Sequence, residues 1–245
     1  MTGLRGDAAL VGFAEWPSER KFGGPRSFQV EQWAEIAATA LADCGIASNE
    51  VDGLITYDLR ESKDFVPATV AEYCGWEVNF AERMDLGGAS AAGAVWRAAA
   101  AIELGLCNVV VCAVPSRPRP RPTNPKGPRM DWGALGSSSM EWGSPQAEFD
   151  VPHGNVAQNA GYAMIAQRYA AEFGWDERAL AKIAADQRRS ANATPNAVFR
   201  DVPITIDDVL ASKVVADPIH VLEIVMPCQG GTAIVVTSRE RAARC

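Results

Sequence analysis

Imidazole is nearly missing from this chain. Only His153 and His220 occur in 245 residues, so a histidine-rich metal site is not expected. Metal-type cysteine spacing is missing too. The six cysteines (Cys44, Cys74, Cys107, Cys112, Cys228 and Cys245) are dispersed, with Cys107 and Cys112 the closest pair. That dispersal suits buried free thiols in a reducing compartment. An excess of positive charge is absent: the net charge of -7 argues against nucleic acid as the main partner. A neutral or apolar substrate, or a protein partner, remains open. No apolar run reaches membrane-spanning length, and the N-terminus lacks a signal-peptide pattern. A cytoplasmic protein with no membrane span is expected. Gly87-Gly88 and Gly230-Gly231 lack the further Gly or Lys spacing that phosphate loops need.

What is present is enough apolar material, 48% of the residues, to bury a sizeable core. The length fits one large domain, or one and a half smaller ones. Residues 8–13 read as a buried strand. In 29–44 the apolar residues Val30, Trp33, Ile36, Ala37, Ala40, Leu41 and Cys44 have helical spacing, and Gly45 stops the helix. The pattern continues with strand 51–57, helix 66–74, strand 80–86, helix 91–104 and strand 108–114. The last helix is apolar almost all round, so burial on several sides is expected. Strand 108–114 is continuously apolar, as inside a mostly parallel sheet. The alternation predicts an α/β class. It breaks at Pro115. Residues 116–132 are rich in Pro, Arg and Lys, and 133–144 in Gly and Ser, which predicts a surface excursion. Helices are predicted over 157–173 and over 177–192, the second capped by Asp176. Thr205-Ile206-Asp207-Asp208 resembles a capping box that opens a short helix, so the paired carboxylates are first-turn residues facing the helix dipole. Residues 230–238 read as a final buried strand. These features divide the chain into a core (1–115), a loop subdomain (116–213) and a return to the core (214–245).

The turn Gly87-Gly88-Ala89-Ser90 lies between a strand and a helix. A fold of this type places a nucleophile or an anion there, on a helix N-terminus. The bland alternative is a tight turn with Ser90 as the helix N-cap. His153, before a long helix, is either a general base or ligand contact, or a structural histidine. His220, among apolar residues, reads as a satisfied, semi-buried histidine. Cys228 reads as a structural thiol. The arginines near 117–121 form either a solvated strip or a contact to an anionic cofactor or an acidic partner.

Several blocks together resemble the thiolase superfamily, and within it the lipid-transfer-protein or sterol-carrier type and its aldolase relatives. The blocks are Ala40-Leu41-Ala42-Asp43-Cys44-Gly45-Ile46 with Glu50-Val51-Asp52-Gly53-Leu54, then Asp85-Leu86-Gly87-Gly88-Ala89-Ser90 with 100–111. They continue with Pro152-His153-Gly154, Ala166-Gln167-Arg168-Tyr169, Glu172-Phe173-Gly174, Val215-Ala216-Asp217-Pro218 and 230–238. The resemblance implies a thiolase-like βαβαβαββ half, with a mixed five-stranded sheet, helices on both faces, and a loop subdomain. The position of the family's acyl-accepting cysteine falls on Gly88. Glycine forms no thioester, so thiolysis through this position is excluded. The Gly-Gly-x-Ser version resembles the members that cleave steroid side-chain acyl-CoA thioesters by retro-aldol chemistry.

The resemblance further implies that Gly87, Gly88 and Ser90 line the site and offer backbone N–H groups to a thioester oxygen. Ser90 and His153 are the catalytic candidates. Gly154 lies beside His153 in a loop over the acyl chain, and Arg117 and Arg119 would meet the phosphates of coenzyme A. CoA enters as part of the substrate, with no separate cofactor and no metal. The family's second half, with its histidine motif, second cysteine or aldolase tyrosines, has no counterpart in these residues. Helix 91–104 would then expose an apolar face and drive association. The missing half would lie in further chain, come from a partner chain or be replaced by self-association, and an OB-fold, zinc-ribbon protein is an expected partner. The alternative function is a non-catalytic thiolase-like subunit that binds acyl-CoA or scaffolds a partner.

Overall fold

The structure, a computed structural model, describes residues 4, 6–62, 64–121, 142–155 and 157–245. It separates into two compact units, Met1–Arg121 with Cys228–Cys245, and Pro122–Pro227. Most of the basic, Pro-rich stretch predicted as a surface excursion, 122–141, lies outside the described residues.

The first unit contains strands β1 (Ala8–Glu19), β2 (Gly53–Thr56), β3 (Phe80–Arg83), β4 (Val109–Ser116) and β7 (Gln229–Ser238). Its helices are α1 (Gln29–Cys44), α2 (Val66–Cys74), α3 (Ser90–Glu103) and the terminal α7 (Arg239–Ala242). The strands form one sheet in the order β1-β7-β4-β2-β3. β2 runs parallel to β3 and β4, and β7 runs antiparallel to both β4 and β1. The sheet is therefore mixed and five-stranded, as expected.

Its two faces follow from the period-2 side-chain alternation of strands. Leu54, Val109, Val111, Ala113 and Val235 join Trp33, Ile36, Ala37 and Val70 in one cluster under α1 and α2. Ile55, Val110, Cys112 and Val236 join Ala94, Ala98 and Ala101 in a second cluster under α3. α1 lies very close to the sheet at Gly12, where a Cβ would sit 2.3 Å from the Ala40 carbonyl oxygen.

Three differences from the sequence reading stand out. β1 runs on to Glu19, past Pro17, because the pairing with β7 carries it through register shifts at Leu10/Gly12 and Trp16/Glu19. β4 likewise continues through Pro115 to Ser116. Its ladder with β2 ends at Cys112, so further along β7 is its strand partner, an edge-like setting that tolerates proline. α3 is buried on one side instead of several. Ala94, Ala98, Ala101 and Ile102 are covered, whereas Trp96 is 55% and Leu104 75% exposed.

Asp52 organises the start of all three parallel strands. One carboxylate oxygen accepts the N–H groups of Asn108 and Val109, each at 2.8 Å, and the other accepts Asn108 Nδ2 at 2.8 Å. Its carbonyl accepts from Asn79 at 2.8 Å and Phe80 at 3.2 Å. One residue thus aligns the entry to β2, β3 and β4. Asp52→Ala is expected to destabilise the fold by about 2–3 kcal/mol, since it orphans backbone donors held by charge-assisted bonds. Asp52→Asn keeps an acceptor oxygen and should cost about half as much. Urea unfolding of the two variants checks this, and equal losses would refute the carboxylate's role.

The second unit contains α4 (Gln158–Phe173), α5 (Glu177–Ala193), α6 (Ile206–Ala211) and a two-stranded ribbon of β5 (Val214–Ala216) and β6 (Ile219–His220). Asp176 caps α5 by accepting the Arg178 N–H, and Thr205 with Asp208 closes the predicted capping box. Residues 214–245 had been expected to return to the core with its last strand; 214–216 pair with their near neighbours across Asp217-Pro218, and the chain rejoins the first unit at Cys228.

Candidate active site

The parallel strands β4, β2 and β3 point their C-terminal ends the same way, the usual position of ligand crevices in α/β sheets. Tyr57 and Asp58 follow β2, Met84 and Asp85 follow β3, and Val114 lies near the end of β4. With Gly87, Gly88, Ser90 and Ala91 they line a cavity of about 400 Å³. A second cavity of about 290 Å³ shares Tyr57, Ala91 and Val114 with it and is otherwise walled by Ala92, Ala94, Val95, Cys112, Thr232 and Ile234.

The turn before α3 is held by its own hydrogen bonds. The Ser90 hydroxyl accepts the Leu86 N–H at 2.9 Å and donates to the Gly87 carbonyl at 2.7 Å. The N–H of Gly87 donates to Asp85 Oδ1 (3.1 Å), that of Ala89 to the Leu86 carbonyl (3.2 Å) and that of Ser90 to the Gly87 carbonyl (3.1 Å). Ser90 is therefore not the N-cap. Ala89 occupies that position, and Ser90 is the first helical residue, with its side chain turned back to close the loop. Its hydroxyl proton is committed, so Ser90 shapes the turn and is not a poised nucleophile. Of the three N–H donors expected to meet a thioester oxygen, those of Gly87 and Ser90 are already used. Among the described hydrogen bonds of residues 86–90, Gly88 alone has no donor role.

The two glycines serve different ends. Gly87 has φ +55°, a conformation L side chains rarely adopt. Gly88 has no such φ, and a Cβ there would meet nothing within 4 Å. Glycine at 88 keeps the cavity floor open and is not required by the backbone.

Tyr57 was missed by the sequence reading. Its hydroxyl donates to the Ser90 carbonyl at 3.2 Å, and burial, with a lesser contribution from Cys112, pushes its pKa up to about 12. Asp58 and Asp85 were also passed over, and Asp58 pairs with Arg83 at 2.5 Å. The signal that could have found them is position: each lies one or two residues beyond the end of a parallel strand.

The buried thiols Cys107 and Cys112 are inert. Burial pushes the pKa of Cys107 and Cys112 well above the ordinary thiol range, up to about 12. Groups kept neutral in this way stabilise the fold fully below pH 9, and that contribution is lost as pH rises through 9 to 12. The midpoint of thermal unfolding should accordingly be flat near pH 7–8 and fall above pH 9. At pH 8 an alkylating reagent should label the exposed Cys245 quickly, and Cys107 and Cys112 only after unfolding. Peptide mapping of the labelled protein checks this, and rapid native labelling of Cys112 would contradict it.

Arg117 and Arg119 both have partners within the first unit. The Arg117 guanidinium stacks 3.7 Å over Trp16 and 4.7 Å from Phe22, and lies 4.0 Å from Glu35. The buried side-chain amide of Gln32 clasps the Arg117 backbone, accepting its N–H at 3.0 Å and donating to its carbonyl at 3.2 Å. Arg119 pairs with Glu61 at 3.3 Å. Both cations have carboxylates and serve packing, which weakens their assignment to CoA phosphates.

In the second unit His153 is exposed at the end of a single 3-10 turn, Val151–His153, closed by Gly154 at φ +84°. His220 is semi-buried, as expected, with Nδ1 3.3 Å from Glu223 Oε2. The structure thus brings Gly87, Gly88 and Ser90 together in the first unit, and His153 and Gly154 together in the second. The second unit also has an apolar groove of about 710 Å³, lined by Tyr162, Ile165, Tyr169, Phe173, Trp175 and Leu180 among others. Among the described residues no cluster of three or more His, Cys, Asp or Glu could hold a metal ion, and no helix is long and apolar enough to cross a membrane.

No family model matches the chain. It is 32% identical over 245 residues to a steroid side-chain-cleaving aldolase of Thermomonospora curvata, covering 99% of this chain and 59% of the relative. It is 32% identical over 242 residues to the 17-hydroxy-3-oxo-4-pregnene-20-carboxyl-CoA lyase of Mycobacterium tuberculosis, covering 98% and 59%. The chain thus spans a little over half the length of these relatives. Among solved structures, the Ltp2-ChsH2(DUF35) aldolase superposes with a TM-score of 0.78 at 30% identity, over 98% of this chain and 58% of that one. Human mitochondrial 3-ketoacyl-CoA thiolase in complex with CoA superposes with a TM-score of 0.58 at 17% identity, over 99% and 67%, which shows the fold alone. With its mixed sheet and its glycine turn ahead of α3, the chain has the thiolase fold and is similar to the aldolase-like members of that superfamily over a little over half of their length.

Proposed function

We propose that this chain is part of a carbon–carbon lyase acting by retro-aldol cleavage on a β-hydroxyacyl-CoA thioester of steroid side-chain metabolism. The observation that carries this reading is Gly88. It stands where a thiolase has its nucleophile, with open space above it, an uncommitted N–H, and a cavity at the strand ends. Such a floor accommodates a thioester but cannot be acylated.

In the reaction the β-hydroxyl loses its proton, the Cα–Cβ bond breaks, and its electron pair passes into the thioester as an enolate. The Gly88 N–H, at the N-terminus of α3, would donate to that enolate oxygen. Protonation at Cα then releases a ketone and a shortened acyl-CoA. The proton transfers are assigned to groups of the second half. That half would be supplied by further chain or by a partner subunit covering the exposed side of α3 around Trp96. An OB-fold, zinc-ribbon protein is proposed as an additional partner. His153 and Gly154 are retained as proposed contacts to the acyl-CoA.

The test is incubation of the protein with 17-hydroxy-3-oxo-4-pregnene-20-carboxyl-CoA, alone and with the second-half or zinc-ribbon partner, followed by mass spectrometry. Equal yields of a 17-ketosteroid and propionyl-CoA are expected in a complemented arm. Intact thioester in every arm, with binding retained, would make the chain a non-catalytic acyl-CoA-binding subunit.

A further inference from the structure

Tyr57 occupies a distinctive place. It is a wall residue of both cavities in the first unit, the polar one at Gly88 and the apolar one along α3. The first has Asp58, Asp85 and the turn glycines around it, whereas Ala92, Ala94, Val95, Cys112 and Ile234 line the second. A thioester held over Gly88 with its hydrocarbon in the apolar cavity would have its β-carbon, two bonds from the carbonyl carbon, near this junction.

The Tyr57 hydroxyl has one proton and two lone pairs. The proton goes to the Ser90 carbonyl, 3.2 Å away. What the hydroxyl has left is acceptor capacity, so it is matched to a ligand that donates. Each of the other polar groups nearby has a partner of its own. Asp58 pairs with Arg83, Asp85 accepts the Gly87 N–H, and the Thr232 hydroxyl donates to the Ala14 carbonyl at 3.1 Å.

We infer that Tyr57 is the specificity residue for the β-hydroxyl: its oxygen accepts a hydrogen bond from that group and selects hydroxylated over non-hydroxylated acyl-CoA. This rests on the retro-aldol reading above. Tyr57 transfers no proton in this role, and a phenol whose pKa burial raises to about 12 remains neutral at physiological pH. A site built to pair a substrate hydroxyl discriminates against the analogue lacking it, because its polar group is then left without a partner.

The experiment is a binding comparison on the intact protein, by calorimetry, with two probes. One is 17-hydroxy-3-oxo-4-pregnene-20-carboxyl-CoA and the other is its 17-deoxy analogue. The parent should prefer the hydroxylated probe by about fivefold to tenfold, the worth of one hydrogen bond. Tyr57→Phe keeps the ring and should bind both probes equally, with the deoxy affinity unchanged. A preference surviving in Tyr57→Phe overturns the inference, as does an equal loss of affinity for both probes, which would mark a merely structural hydroxyl. A parent with no preference overturns it as well. If the preference is present and lost in Tyr57→Phe while no arm cleaves the thioester, the specificity role stands and the lyase reading fails.

Discussion

Replacing Gly88 by cysteine is expected to leave the fold intact and to lower carbon–carbon lyase activity at least about tenfold. The backbone argument is direct. Gly88 lies outside the positive-φ region, and a Cβ there meets nothing within 4 Å, so the free energy of unfolding should change by less than about 1 kcal/mol. The activity argument rests on the same open space. A sulfur atom would occupy the volume assigned to the thioester, and it would sit at the N-terminus of α3, where the helix dipole favours a thiolate. The variant should therefore react with iodoacetamide near neutral pH and take up acyl groups from acyl-CoA, seen as a mass increase. Those readouts contrast with the buried Cys107 and Cys112, whose pKa values burial pushes up to about 12. Unchanged lyase activity in Gly88→Cys would show that the thioester does not bind over this turn.

The largest effect on stability is expected from Trp33→Ala, about 3–5 kcal/mol. Trp33 is 1% exposed in the cluster between α1 and the sheet, and its ring meets Trp76 edge-on at 5.6 Å. Trp76 in turn donates from Nε1 to Ser48 Oγ at 2.8 Å, so the pair ties α1 to the residues before β2 and after α2. Trp33 Nε1 is buried and has no partner. Trp33→Phe removes that unpaired donor and retains an aromatic edge contact, so it should cost far less, about 1 kcal/mol. Urea titration of both variants separates them. Similar losses would mean that the ring itself contributes little to this core.

The fold was legible because its signals are periodic. The run Val109-Val110-Val111-Cys112-Ala113 supplies both faces of a central strand at once, with Val109 and Val111 in one cluster and Val110 and Cys112 in the other. The spacing of Trp33, Ile36, Ala37, Ala40 and Leu41 marks one face of α1 in the same way. Sheet order and strand direction leave no such trace, and the return to the first unit, expected from 214, comes at Cys228. The exposed apolar face of helix 91–104 was expected from the lack of a second half, and the structure places it at Trp96 and Leu104.

The candidate site divides along the same line. The chain's own order of residues determined that a glycine turn precedes α3 and that position 88 cannot carry an acyl group. Tertiary structure alone decided what each polar group does there. Ser90, read as a catalytic candidate or a cap, closes its turn. Arg117, predicted for phosphate, lies on Trp16 and Phe22. Tyr57, unnoticed among strand residues, reaches the Ser90 carbonyl across 33 positions of sequence. Apolar burial is non-directional and repeats with the geometry of helix and strand, so pattern reveals it. A hydrogen bond or stacking contact depends on one donor, one acceptor and one distance, and only the folded chain brings those together.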